Sequence, residues 1–257
     1  MGIMSDGAIN RTLRALIAVC EEGPQTLTAL SGRTGLTPPT LLRMLRLMRD
    51  EGFVTQDEDR KWRATMLMWR LGCAVKDSTG TGELAERTLR ELVEAIDETV
   101  VFAAFEGGWL TYVAQAEPDK PVRAHITLGG RYATLDTMTG HAVMAWLPRN
   151  EVDEIVKTQA KRAFSAADRR ALYQELVETA RIGYACGSGD RWPGVWGAAA
   201  PVFDHRGRPV GAVGVSIPTT SVPEHGHAAA EEVARAARRL TERFGGTVPA
   251  SSLPSAR

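Results

Sequence analysis

The stretch Thr34-Gly35-Leu36-Thr37-Pro38-Pro39-Thr40-Leu41-Leu42-Arg43-Met44-Leu45-Arg46-Leu47-Met48-Arg49-Asp50-Glu51-Gly52 decides the fold of the N-terminal quarter of this chain. Gly35 stands where the end of one helix calls for a residue tolerant of the left-handed conformation. Two residues later Thr37-Pro38 supplies an N-cap followed by proline at the first helical position. Leu41, Leu42, Leu45 and Met48 then mark the inner face of a helix that runs to Gly52. Arg43, Arg46 and Arg49 recur at i, i+3 and i+6 away from those leucines, with no acid until Asp50. One side of the helix is built to pack, the other to meet phosphates or the O6 and N7 atoms of guanine.

Working outward, Leu13, Leu16, Ile17 and Cys20 give Asn10 to Glu22 the stripe of an amphipathic helix, ended by Gly23-Pro24. Thr28 reads as the cap of a short helix over Ala29 to Arg33, with Leu27 and Leu30 as its apolar positions. Beyond Gly52, Phe53-Val54-Thr55, the polar turn Asp57-Glu58-Asp59-Arg60 and Lys61-Trp62-Arg63-Ala64 read as a β-hairpin. Two short helices about a tight glycine turn, followed by a hairpin, is the order of a winged helix-turn-helix. The candidate DNA contacts are Thr28, Thr37, Pro38, Pro39 and Thr40 at the helix starts, Arg43 and Arg46 on the third helix, and Arg60 and Lys61 at the hairpin tip. Charge alone does not make this case. The chain carries 31 basic against 31 acidic residues, and an arginine-bearing helix face is more often simply solvated. The order of turn, cap, arginines and wing is what favours double-stranded DNA.

At 257 residues with 44% hydrophobic and 24% charged composition, the chain has material for two ordinary cores. No apolar run approaches membrane-spanning length, and Met1 to Asn10 lacks the pattern of an export signal, so a cytoplasmic protein without membrane contact is expected. Cys20, Cys73 and Cys186 are too scattered for a disulfide framework or a metal knuckle. The expected class is α+β. Residues 1–66 form the winged helix-turn-helix, 67–82 a linker helix interrupted at Ser78 to Gly82, 83–246 a second domain, and 247–257, rich in Ser, Pro and Ala, a disordered tail. In the second domain Thr99 to Phe105, Trp109 to Ala116, Arg123 to Thr127, Val195 to Phe203 and Pro209 to Ile217 read as strands of a largely antiparallel sheet. Helices are expected at Glu83 to Glu98, Thr137 to Trp146, Glu151 to Lys157, Ser165 to Arg181 and about His227 to Phe244, flanking that sheet.

The quoted stretch, with Glu51-Gly52-Phe53-Val54 after it, resembles the helix-turn-helix signature of IclR-family regulators. Thr137 to Ala142, Gly183-Tyr184-Ala185, Asp190, Gly194-Val195 and Ala199-Ala200-Pro201-Val202-Phe203-Asp204 with Gly207 resemble the family's C-terminal segments. The likeness runs from about Asn10 to Gly246. It implies a GAF-like effector-binding domain behind the winged helix, dimers or tetramers on a palindromic operator, and a small-molecule effector, a carboxylate. Carried over, the effector site comprises Leu135, Asp136, Thr137 and Met138 on one side and Asp190, Trp196, Gly197, Ala198, Gly214 and Ser216 on the other. The chain departs from the family pattern at His141, where lysine is usual, at Met138, where alanine is usual, and at Asp190, where glutamate is common. Pro39 stands where a polar residue is usual, which shifts base reading toward Thr37, Thr40, Arg43 and the wing. Asp136 and Asp190 would repel a carboxylate unless they face away. Trp109, Trp146, Trp192 and Trp196 all fall in the second domain, and indoles on a small pocket would suit an aromatic acid. The competing reading makes them core or subunit-contact residues.

Catalytic readings fare worse. Cys186 with His205, or Ser188 with Asp190 and His205, can be assembled on paper, but such sets occur in any chain of this length. Gly187-Ser188-Gly189 lacks the flanks of a nucleophile elbow, Gly80 and Gly82 lack a following Gly-Lys-Ser/Thr, and His225 with His227 reads as a solvated helix start. No cofactor and no metal is expected. The alternative of a different class is a ligand-binding module whose helical N-terminus contacts protein and binds no DNA.

Overall fold

In the N-terminal quarter the leucine stripes find one another. Helices α1 (Ala8–Glu21), α2 (Leu27–Thr34) and α3 (Pro38–Asp50) are followed by a hairpin of β1 (Val54–Gln56) and β2 (Trp62–Ala64), then α4 (Met66–Thr79). The computed structural model describes residues 7–21, 23–79, 81–188, 193–222 and 226–249. Its contacts divide into two units, Met1–Thr79 and Gly80–Arg257. The first is built on Ala15, Val19, Leu30, Leu41, Leu45, Val54 and Trp62. The Trp62 residue, 1% exposed, ties the hairpin to the helices. Its N–H donates to Gln25 O at 2.7 Å and its carbonyl accepts from Gln25 N at 3.0 Å.

Helix ends follow local chemistry, with one correction. The cap of α2 is Thr26, whose hydroxyl accepts from Ala29 N at 3.3 Å. Thr28 lies inside the first turn, exposed. Two threonines stand two residues apart, and only Thr26 precedes the first helical residue in extended backbone. Thr26→Ala should therefore cost about 1 kcal/mol while Thr28→Ala stays within about 0.5 kcal/mol, a difference that urea unfolding resolves. At the other end Gly35 has φ +69° and donates its N–H to Ser31 O at 3.0 Å, closing the turn into α3.

The second unit opens with α5 (Thr81–Ile96) and builds one sheet from β3 (Thr99–Glu106), β4 (Trp109–Ala116), β5 (Arg131–Ala133), β6 (Ala185–Ser188), β7 (Val195–Phe203) and β8 (Pro209–Pro218). Spatial order is β5-β4-β3-β8-β7-β6, and every ladder is antiparallel. Because successive side chains alternate between faces, Phe102, Val202, Val213 and Ile217 point toward α5 and α9 (Gly226–Arg243), meeting Leu89, Leu92, Val233 and Leu240. Val101, Ala103, Ala199 and Ala212 point the other way, toward α6 (Met138–Met144), α7 (Arg149–Gln159) and α8 (Ala166–Ile182). This second face carries the cavity described below.

Three differences from the sequence reading have physical causes. Arg123 to Thr127 alternates as a strand would, with Ala124 and Ile126 buried, but among the described residues it pairs with no strand. The Ala124 carbonyl instead accepts the Thr99 hydroxyl at 2.8 Å. The edge strands β5 and β6, three and four residues long, went unread. The interruption expected over Ser78 to Gly82 is not found at Ser78, Thr79, Thr81 or Gly82, since α4 continues to Thr79 and α5 begins at Thr81, while Gly80 lies outside the described residues. Of the C-terminal tail, Thr247 donates its N–H to Asp204 O at 3.1 Å, while residues 250–257 lie outside the described residues.

Candidate functional site

On α3 the burial pattern separates two chemistries. Leu41, Met44, Leu45 and Met48 are buried, and Arg43, Arg46 and Arg49 are exposed. Arg49 lies 3.5 Å from Asp50 Oδ1. Among the described residues no carboxylate stands within 4.0 Å of Arg43 or Arg46, so both guanidinium groups face solvent with their charge uncompensated. Leu47, 59% exposed, lies on the same side and passed unnoticed in the sequence among its apolar neighbours. Thr37 caps α3 by backbone conformation, φ −64° and ψ 144°, and its hydroxyl bonds Thr40 Oγ1 at 3.0 Å rather than a backbone N–H. Pro38 and Pro39 occupy the first two helical positions, exposed, where their missing N–H groups cost no helical hydrogen bond. At the hairpin tip Arg60 is exposed with φ +60°, and Asp57 Oδ1 accepts Lys61 N at 2.8 Å. The Lys61 ammonium sits 3.8 Å from Asp59.

In the second unit a cavity of about 40 Å³ lies between α6 and the sheet, bounded by Val101, Tyr112, Asp136, Thr137, Met138, Thr139, Val195, Gly197, Ala198, Gly214, Val215 and Ser216. On the strand side α6 comes close enough to crowd any side chain at Gly214, and less so at Gly197. A methyl on Gly214 would lie 2.7 Å from Thr139 Cγ2, and one on Gly197 would lie 3.5 Å from Met138 Cγ and 3.3 Å from Val215 O. The polar lining is a hydroxyl chain. Tyr112 OH lies 3.4 Å from Thr139 Oγ1, which donates to Thr137 Oγ1 at 3.1 Å, and Thr137 also accepts from Gly140 N at 3.1 Å. With both incoming bonds made, the Thr137 proton is left to donate, and Ser216 adds a second hydroxyl. The Asp136 carboxylate, 13% exposed, is held by Lys161 Nζ at 2.7 Å, which offsets its charge.

Of the effector residues expected from sequence, Asp136, Thr137, Met138, Gly197, Ala198, Gly214 and Ser216 come together around this cavity. Two do not. Leu135 turns its backbone away: its N–H goes to Gln159 Oε1 at 3.2 Å and its carbonyl toward His141. Trp196 does not border the cavity: its side chain packs on the opposite face of β7, with its ring 3.2 Å from where a Gly226 methyl would stand. Asp190 and Trp192 lie outside the described residues. The remaining tryptophans are also elsewhere, Trp146 edge-on to Phe203 at 5.1 Å and Trp109 under Arg131 at 4.3 Å, so no indole among the described residues lines the cavity. Val101, Tyr112, Thr139, Val195 and Val215 were missed. For Val101 and Tyr112 the needed signal was the pairing of β3 with β4, and Thr139 was within reach as the next residue but one after Thr137.

A helix-turn-helix with a hairpin wing, its cationic helix face open, defines the class as a DNA-binding transcriptional regulator. Residues 8–58 match the IclR helix-turn-helix domain and residues 73–242 the bacterial transcriptional regulator IclR C-terminal domain. The chain belongs to the IclR family. It is 28% identical over 239 residues to the HTH-type transcriptional regulator BhcR of Paracoccus denitrificans, covering 91% of this chain and 86% of that protein. The crystal structure of Pseudomonas aeruginosa HmgR superposes with a TM-score of 0.73 at 26% identity, covering 93% of this chain and 97% of that one. An IclR homolog from Microbacterium hydrocarbonoxydans complexed with 4-hydroxybenzoate shares the fold, with a TM-score of 0.79 at 19% identity over 93% of this chain and 99% of that one. The protein is a regulator and not an enzyme. Among the described residues no helix is long and apolar enough to cross a membrane.

Proposed function

We propose that this chain is a cytoplasmic one-component regulator that docks α3 in the major groove of a palindromic operator and whose hold on DNA is set by a small carboxylate in the α6 cavity. The observation that carries the DNA half is the pair of uncompensated guanidinium groups, Arg43 and Arg46, opposite the buried leucines of a helix-turn-helix. Thr37, Thr40, Arg60 and Lys61 flank that helix face in sequence as phosphate or base contacts. Two copies per operator suit the exposed Ile9, Leu13 and Ile17, spaced i, i+4, i+8 along α1, which form an apolar strip able to meet its own equivalent. The effector half rests on the cavity's free hydroxyl donors and on the Lys161 ion pair that offsets the Asp136 charge. A carboxylate is favoured over a cation for that reason. Aromatic character finds a single lining residue, Tyr112, in its support. The solved relative with 4-hydroxybenzoate makes benzoate-sized acids the first to try.

An electrophoretic shift with the DNA upstream of the protein's own gene tests the first half. Binding should weaken steeply with salt, because each neutralised phosphate contributes about −0.9 to the log–log slope. A thermal-shift screen of small organic acids tests the second. A true effector at a hundred times its Kd stabilises the native state by about 2.7 kcal/mol, and a panel that leaves the melting curve unmoved counts against the carboxylate assignment.

A further inference from the structure

The cavity is too small as it stands for an organic acid. About 40 Å³ holds a few water molecules, whereas a protein cavity of roughly 150 Å³ is what accommodates benzene. Entry therefore requires the lip formed by the 3₁₀ turn Thr134–Asp136 and the start of α6 to move outward, and what fastens that turn becomes decisive. Its Leu135 N–H is held by Gln159 and its Thr134 hydroxyl donates to Gly108 O at 2.7 Å. Its third fastening is the imidazole of His141. Nε2 lies 3.0 Å from Leu135 O, and Nδ1 lies 2.6 Å from Glu175 Oε1 on α8.

Both partners are acceptors, and a neutral imidazole has one N–H where two are needed. Only the imidazolium joins turn, α6 and α8 at once. We propose that the His141–Glu175 pair is a proton-dependent latch on the cavity lip, fastened while the ring carries both protons and released when it loses one. The other charged or titratable groups around it are Asp136 on the turn, with its Lys161 partner, and the Cys186 thiol of β6 near Glu175. Burial of the ring works against its charge, but the Glu175 hydrogen bond and charge, the Leu135 carbonyl and Asp136 outweigh it and hold the ring above the ordinary 6.5. The Glu175 carboxyl is in turn held below 4.5 by the His141 hydrogen bond, against its own desolvation. For a group raised on folding, the stabilisation is complete below its unfolded value and disappears as pH climbs through its folded one. For the lowered carboxyl it is complete above 4.5 and disappears as pH falls through the folded value. The latch is thus full between 4.5 and 6.5 and opens on the alkaline side.

The functional meaning of the latch rests on the cavity being the effector site, but its test needs no ligand. Hydrogen exchange on the full chain, normalised for intrinsic rates, should show protection of the peptide over 134–141 falling roughly tenfold from about pH 6 to about pH 9. In H141K, which keeps a cation to about pH 10, protection should be flat over that range. In E175Q the loss should shift to lower pH. The His141 ring proton resonance, assigned by its absence in H141K, should titrate above 6.5 in the wild type. That measurement stands even if E175Q fails to fold. Wild-type protection independent of pH, an equal loss in H141K, or a ring midpoint at or below 6.5 would each overturn the proposal.

Discussion

Gly140→Ala should destabilise the C-terminal unit by at least about 3 kcal/mol, lowering its melting temperature by roughly 6–12 °C. A methyl at this position would stand 2.7 Å from Thr134 Cα and closer still to the Thr134 carbonyl. These are backbone atoms and cannot rotate aside. Thr134 itself is fully buried and fastened through its hydroxyl to Gly108 O at 2.7 Å. Relief is available only by displacing the whole 3₁₀ turn, which carries Asp136 and leads into Thr137 and Met138 at the cavity. The substitution should therefore remove ligand response together with stability. Gly32→Ala is the matched control. It lies within α2 with no atom inside 4 Å of the added methyl, where alanine improves helix propensity by about 1 kcal/mol. A loss under about 1 kcal/mol at Gly140, measured by chemical unfolding, would mean that α6 and the turn do not pack as closely as described.

How much of this was legible depends on the range of the information each feature needs. The helix-turn-helix was readable because its signals are local. Gly35 at a left-handed C-cap, Thr37-Pro38 at the next N-terminus and the i, i+3, i+4 leucines each act within one turn of helix. Ser165 was readable for the same reason, and its hydroxyl accepts from Asp168 N in a capping box. The cavity was reached only in part. A resemblance brought Thr137, Gly197, Gly214 and Ser216 into one group, but the parity of β7 decides that Gly197 faces α6 while Trp196 faces α9. Tyr112 and Thr139 are 27 residues apart and meet through the fold of β4 under α6. Nothing local announces that meeting. Ala185 to Ser188 contains no β-branched residue, so β6 exists because β7 offers it an edge and not because its own residues favour extension. Arg123 to Thr127 shows the opposite failure, a period of two imposed by a wall to pack on, with no strand alongside to pair with among the described residues.

Arg43→Ala combined with Arg46→Ala should weaken operator binding by about 2–6 kcal/mol, taking about 1–3 kcal/mol for each side chain. Both arginines are exposed, and among the described residues neither has a carboxylate within 4.0 Å. No internal ion pair has to break before they engage DNA, and none is lost from the free protein when they are removed. The change in affinity therefore reports the interface and not the stability of the helix. Fluorescence anisotropy over a salt series separates the two ways an arginine can act. If the pair contacts phosphates, the log–log salt slope falls by about 0.9 for each side chain and affinity for unrelated DNA falls in parallel. If the pair reads guanine, the slope holds while discrimination between operator and unrelated DNA collapses. Arg49 supplies an internal comparison on the same helix. It already lies 3.5 Å from Asp50 Oδ1, so Arg49→Ala removes a charge that is partly compensated and should cost less than either of the others. Unchanged operator affinity in the double variant would remove α3 from the DNA interface.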